Sequence, residues 1–252
     1  MPVGSLFGLG LSVPDRTAPT LSSRHGPARD APNLVADAAG ARAEGTSADG
    51  AADCHTSPLV ERWFSARPSL IVWDFDLTVL NTHAFGEGVE VADVADRYEA
   101  DVRDIELFRS FVGTARTRSI PVGIASYGRR EVILEYMKHI FSGPHALDGP
   151  PPFDARNVVT PSALQLLDGT SVPNGKPRML SLLCDRLIPQ MTVDEARVLF
   201  FDDDDPNVDD CRRAGFTNAF HTPDGFSAEA LARIETEYGP TPVSRQSSCA
   251  IS

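Results

Sequence analysis

Five short runs of nearly unbroken hydrophobicity recur along the chain, Ser69–Trp73, Pro121–Ala125, Asn157–Val159, Val198–Phe201 and Thr217–Phe220, and they limit its possible folds more than any other feature. A strand with one wet face alternates apolar and polar residues. A run that is apolar throughout is buried on both faces, which calls for a parallel sheet with helices on each side. The intervals between the runs have the helical period. Ile105, Phe108, Phe111 and Val112 make one stripe over 104–118, Val132, Ile133, Tyr136 and Ile140 a second over 129–141, and Leu180, Leu183 and Leu187 a third over 177–187. The order β-α-β-α-β-α-β-α-β predicts an α/β domain built on a doubly wound, Rossmann-like parallel sheet of about five strands. Trp73, Phe200 and Phe201 are expected in its core, and ligands beyond the carboxyl ends of the strands.

The stretch before Pro58 is rich in Ala, Gly, Ser and Pro and holds one aromatic residue, Phe7, so it has little apolar surface to offset the entropy of ordering. Residues 1–57 are therefore expected to be a disordered extension, 58–240 the folded domain and 241–252 a flexible tail. No apolar stretch approaches the roughly 18 residues of a membrane span. The formal net charge of -12 disfavours nucleic acid and anionic lipid as partners. Cys54, Cys184, Cys211 and Cys249 form no CxxC pair, so they predict neither a zinc ribbon nor a disulfide framework. A reducing, cytoplasmic setting follows, with an organelle-targeting role for the extension as the alternative. Oligomeric state has no signature in the sequence.

Four strand ends carry chemistry. The first runs out into Trp73-Asp74-Phe75-Asp76-Leu77-Thr78, two carboxylates two residues apart. One could be a nucleophile and the other a proton donor of raised pKa, and their proximity also favours a cation. The alternative is an acidic turn. The second strand ends in Ser126, followed by Tyr127-Gly128, where a hydroxyl and free amides at a helix start could hold a phosphate; the alternative is a plain helix cap. Of 23 basic residues only Lys138 and Lys176 are lysine. Lys138 is expected on a helix surface. Lys176 follows Pro173-Asn174-Gly175 at a helix start, where a compact ammonium could neutralise phosphate and carboxylate together, or else be solvated. The fourth strand enters Asp202-Asp203-Asp204-Asp205-Pro206-Asn207, hard oxygen donors dense enough to suit magnesium. Asp202 and then Asp203 are the expected ligands. Asp204 and Asp205 are expected to face solvent, and Asp209 and Asp210 to lie in the first turn of the next helix. His83, His139, His145 and His221 lack ligand spacing and are read as surface or loop residues.

Taken together, Asp74-x-Asp76-x-Thr78-Val79, Ser126, Lys176 and Asp202-Asp203, in this order and each at its own strand end, resemble the four motifs of the haloacid dehalogenase-like superfamily of aspartyl phosphotransferases. The resemblance covers about residues 70–222. It implies that Asp74 attacks a phosphoryl group to form an aspartyl-phosphate, and that Asp76 protonates the leaving group and then activates water. Thr78, Ser126 and Lys176 would form the substrate- and phosphate-binding set, Thr78 also bracing the motif. Asp74, the Asp76 backbone carbonyl and Asp202, with Asp203, would hold Mg2+. An Asp at position 76 resembles the phosphatase branches. The 23 residues from Asn81 to Arg103 suffice for a flap and a short acidic helix near 89–102 but not for a full cap domain. The resemblance, here to capless members of the superfamily, implies an open site and a Mg2+-dependent phosphatase for a phosphorylated small molecule or a phosphoprotein. The alternative is a catalytically silent module of the same fold that binds phosphate or protein.

Overall fold

The computed structural model describes residues 57–192 and 197–238. The extension expected before Pro58 and the tail expected over 241–252 lie outside these, Ser57 excepted. Each apolar run forms a strand: β1 (Leu70–Trp73), β2 (Val122–Ala125), β3 (Val158–Val159), β4 (Val198–Asp202) and β5 (Ala219–His221). The seven helices among the described residues are α1 (Pro58–Ser65), α2 (Val94–Asp101), α3 (Ile105–Thr117), α4 (Arg130–Ile140), α5 (Gly175–Leu187), α6 (Asp205–Arg213) and α7 (Ala228–Tyr238). All strand pairs are parallel, in the order β3-β2-β1-β4-β5.

The strands are apolar throughout because both faces are covered. Ile71, Trp73, Leu199 and Phe201 face α1, α3, α4 and α7, while Leu70, Val72, Val198 and Phe200 face α5 and α6. Trp73 meets Phe108 edge-on at 5.2 Å and Phe226 at 5.7 Å, at the centre of the larger layer. Each such pair adds about 0.5–1.5 kcal/mol beyond its buried area. Asp104 starts α3 as expected, its Oδ1 accepting from Leu107 N at 3.1 Å.

Two details of the sequence reading change. α6 begins at Asp205, so Asp209 and Asp210 lie past its first turn. They face Arg212 and Arg213 as i,i+3 pairs instead of complementing the helix N-terminus. The acidic helix expected near 89–102 is shorter: a 3-10 turn over Val91–Asp93 leads into α2, and 82–89 form a flap.

The strand order fixes where a ligand would sit. From β1 the chain winds outward through β2 to β3, then returns to the other side of β1 as β4 and continues to β5. The reversal lies between β1 and β4, and a doubly wound sheet opens a crevice there, past the carboxyl ends of its strands.

Candidate functional site

Asp74 and Asp202 stand on the two sides of that switch point. The β ladder carries one residue beyond β1, because Asp74 N donates to Phe201 O at 2.8 Å, and this sets the Asp74 side chain beside the end of β4. Asp202 closes β4 and is wholly buried. Its Oδ1 accepts from Asp204 N at 2.9 Å and from Asn207 Nδ2 at 3.1 Å. Lys176, the second residue of α5, is also wholly buried. Its Nζ lies 2.6 Å from Asp74 Oδ1 and 3.1 Å from Asp202 Oδ2, and it donates to Ala125 O at 2.8 Å. One ammonium thus joins the ends of β1, β2 and β4. Tyr127 and Phe200 present their rings to it at 5.0 and 5.9 Å. The solvated reading of Lys176 gives way to a buried structural cation, while Lys138 is on the surface as expected, paired with Glu135.

Burial acts on these charges in opposite senses. It lowers the Lys176 ammonium, but the Asp202 and Asp74 carboxylates outweigh it and hold lysine above its ordinary value. At Asp74 burial dominates and raises the carboxyl well above the aspartate range, against the pull of Lys176 and with a further push from Asp202. Asp203 is raised as well, by burial and by Asp202. One oxygen from each of Asp74, Asp202 and Asp203 lies within 4.8 Å of the others, so this acidic triad could hold a metal ion. The donor set suits a hard cation: three carboxylates face one ammonium, and Asp74 Oδ1 and Asp202 Oδ2 have no hydrogen-bond donor beyond the ion pair.

Thr78 links the two acidic loops. Its buried hydroxyl accepts from Asp203 N at 3.0 Å and donates to Asp203 Oδ1 at 3.1 Å. Both capacities are taken, so Thr78 braces Asp203 and is not available to a phosphate. Between Asp76 and Thr78 the chain turns through Leu77, at φ +59°. A left-handed Leu costs on the order of 1 kcal/mol. The turn is tied by Val79 N and Leu80 N, each donating to Phe75 O at 3.0 Å.

The Asp76 side chain stands outside the acidic triad, at the flap. Ala84 N donates to its Oδ1 at 3.2 Å, Phe85 N to its Oδ2 at 3.3 Å, and His83 Nδ1 lies 3.3 Å from Oδ2. Burial raises its carboxyl above the ordinary range despite His83 and the two amides. Opposite it, Ser126 Oγ accepts from Gly128 N at 3.1 Å, which leaves the hydroxyl proton free to donate. Ser126 does not cap α4: Asp168 Oδ2 accepts from Arg130 N at 3.4 Å in that place. A Cβ added to Gly128 would lie 3.4 Å from Ser126 Oγ and 3.9 Å from Asp76 Oδ2, so glycine leaves the passage between them open.

These groups line a cleft of about 260 Å³, with Asp74, Asp76, Ser126 and Asp203 on its walls beside His83 and Tyr127. Phe85 crosses from the flap to Gly169, where a Cβ would fall 1.9 Å from Phe85 Cζ. Asp204 and Asp205 face solvent as expected. Three participants escape a reading of the sequence. His83 reaches Asp76, His221 Nε2 meets Asp203 O at 2.9 Å, and Asn207 holds Asp202. Only His221 carries a usable signal, since it directly follows the fifth apolar run and ends β5 at the carboxyl edge of the sheet. Arg129, adjacent to the cleft, is engaged by Glu90. Among the described residues no helix is long and apolar enough to cross a membrane. No protein-family model and no curated protein sequence matches the chain.

Proposed function

We propose that the protein is a phosphomonoester hydrolase of the haloacid dehalogenase-like type, working through an aspartyl-phosphate on Asp74 with Mg2+ as its cofactor. The observation that carries this reading is the unequal placement of two carboxylates at one cleft. Asp74 is ion-paired to the buried Lys176, and Asp76 is held apart on flap amides with its pKa raised. Burial raises both carboxyls, but the ion pair with Lys176 pulls Asp74 back towards its ionised, nucleophilic form, while Asp76, set apart on the flap, is suited to general acid.

Lys176 occupies Asp74 Oδ1, so Oδ2 is the oxygen that attacks phosphorus. As the P–O bond of the ester breaks, the protonated Asp76 gives its proton to the leaving oxygen. The Asp76 carboxylate then takes a proton from water, whose oxygen attacks the phosphorus of the aspartyl-phosphate; phosphate leaves and Asp74 is regenerated. Ser126 donates its hydroxyl proton to a phosphoryl oxygen, and Lys176 balances charge on Asp74 throughout. Mg2+ held by Asp74, Asp202 and Asp203 would supply charge neutralisation at the phosphoryl group. A substrate carrying a second phosphate is disfavoured, because Asp203 and Asp204 line the cleft and Arg129 is already paired.

Hydrolysis of an aryl phosphate by the full chain, with Mg2+, with a chelator and in the Asp74→Asn variant, tests the proposal. Turnover that requires both Mg2+ and Asp74 is expected. A folded protein that binds Mg2+ and turns over nothing would favour a silent binding module.

A further inference from the structure

The two amides that hold Asp76 do so from the outer edge of hydrogen-bond range, at 3.2 and 3.3 Å, so the flap carrying them needs to be fixed by something else. Ala84 and Val89 pack into the core and Arg129 holds the far end through Val89 O and Glu90, while a polar network outside the cleft ties the segment between them. Thr82, buried at the start of the flap, donates from Oγ1 to Glu87 Oε1 and closes the segment across Ala84 and Phe85. Glu87 Oε2 accepts from Arg97 Nη2 of α2 at 3.0 Å. Arg97 also forks onto the buried Asp101, Nε to Oδ2 at 2.5 Å and Nη2 to Oδ1 at 3.3 Å. Asp101 Oδ2 accepts in turn from the hydroxyl of Tyr136 on α4. The Tyr136 ring stands edge-on to Phe75, the residue between Asp74 and Asp76, at 5.4 Å.

The network therefore reaches Asp76 from two directions, through the flap amides on one side and through Phe75 on the other. Glu87, Arg97, Asp101 and Tyr136 do not line the cleft, so a direct contact with substrate is not their part. The Glu87–Arg97 pair is half-exposed on the glutamate side and adds little stability by itself. Its consequence is geometric, because Glu87 couples the exposed middle of the flap, between the buried Ala84 and Val89, to two packed helices.

We infer that Glu87 and Arg97, with Thr82, Asp101 and Tyr136, form a positioning network that fixes the Asp76 carboxyl relative to Asp74 and so governs proton delivery to the leaving oxygen. This rests on the phosphatase reading above. Proton transfer needs donor and acceptor within about 2.6–3.2 Å, and a displacement of about 1 Å can cost on the order of a hundredfold in rate. A leaving group that departs as a stable anion tolerates a misplaced acid, and an alkoxide does not.

The test uses Glu87→Ala, with Glu87→Gln as the variant that keeps an acceptor for Thr82. In the full chain with Mg2+, kcat/KM is compared on 4-nitrophenyl phosphate and on glycerol 2-phosphate. This parameter reports the steps through ester cleavage, before the hydrolytic step common to both substrates. Glu87→Ala should lose about tenfold more on the alkyl ester than on the aryl ester, and Glu87→Gln less than about threefold more. Amide hydrogen exchange at Ala84 and Phe85, read by NMR without substrate, should quicken in Glu87→Ala while the β1 and β4 amides keep their rates. Equal losses on both esters, or unchanged exchange at Ala84 and Phe85 in an active enzyme, would overturn the assignment alone. A wild-type protein inert on both esters would overturn the phosphatase reading and the catalytic role of the network with it.

Discussion

Replacing Lys176 with Met removes the ammonium while keeping most of the side-chain volume, and its cost can be worked from the geometry. Ion pairs at 2.6 and 3.1 Å correspond to gross attractions of about 6 and about 5 kcal/mol at an effective dielectric of about 20. Desolvation of the three buried charges cancels much of this. What the variant loses is the partner of two carboxylates that stay buried, a change that costs about 3–5 kcal/mol. The deficit should depend on pH. Lys176 is the main influence that opposes burial at Asp74, so its loss raises the folded-state pKa of Asp74 further. The native variant then holds a proton that the unfolded chain, with an ordinary Asp near pH 4, has released. Burial raises Asp74 in the wild type too, so both proteins lose stability as pH first rises above the ordinary aspartate range. The variant keeps the native-state proton to higher pH, so its fall continues after that of the wild type has ended and the deficit widens. Urea unfolding of wild type and Lys176→Met at pH 5 and pH 8 should show the larger deficit at pH 8. A deficit under about 1 kcal/mol, the range of a surface pair, or one equal at both pH values, would refute the reasoning.

Thr78→Val should cost about 1–2 kcal/mol of stability in urea unfolding, since two hydrogen bonds to Asp203 are lost and Asp203 N is left without its acceptor. It should also weaken Mg2+ binding measured by calorimetry. Asp76→Asn should lower kcat/KM on an alkyl phosphate by about 10²–10⁴. In the wild type that rate should fall as pH rises through a pKa above the ordinary aspartate value, because the acid is needed protonated and burial raises it. Cys184 and Cys211 are buried, with thiols pushed up to about 11 and about 12. Peptide mapping after iodoacetamide at pH 8 should find both unmodified in the folded protein and modified in urea.

The sheet was legible because its strands are short and buried on both faces, which leaves an apolar run and no alternation to misread. Even β3, two residues long at the sheet edge, stands out as Val158-Val159. Asp74, Ser126, Lys176 and Asp202 were legible as positions for a related reason, since each follows or faces the end of such a run. Their surroundings were not. Whether Lys176 is solvated or wholly buried depends on how α5 packs against β1 and β2, and its own neighbours, Gly175 and Pro177, do not specify that packing. The holder of Asp76 was invisible, because the donors are the backbone amides of Ala84 and Phe85, which every residue but proline possesses. The start of α6 was misplaced because Asp205-Pro206 reads as a turn, although proline is at home in the first turn of a helix.

The central claim is that Asp74 becomes covalently phosphorylated. Rapid acid quench of the wild-type chain turning over an aryl phosphate with Mg2+, followed by peptide mass spectrometry, should find a phosphoryl adduct on Asp74. The adduct should accumulate further in Asp76→Asn, where the water-activating carboxylate is lost. Turnover without any adduct on Asp74, or with an adduct on another residue, would contradict the account.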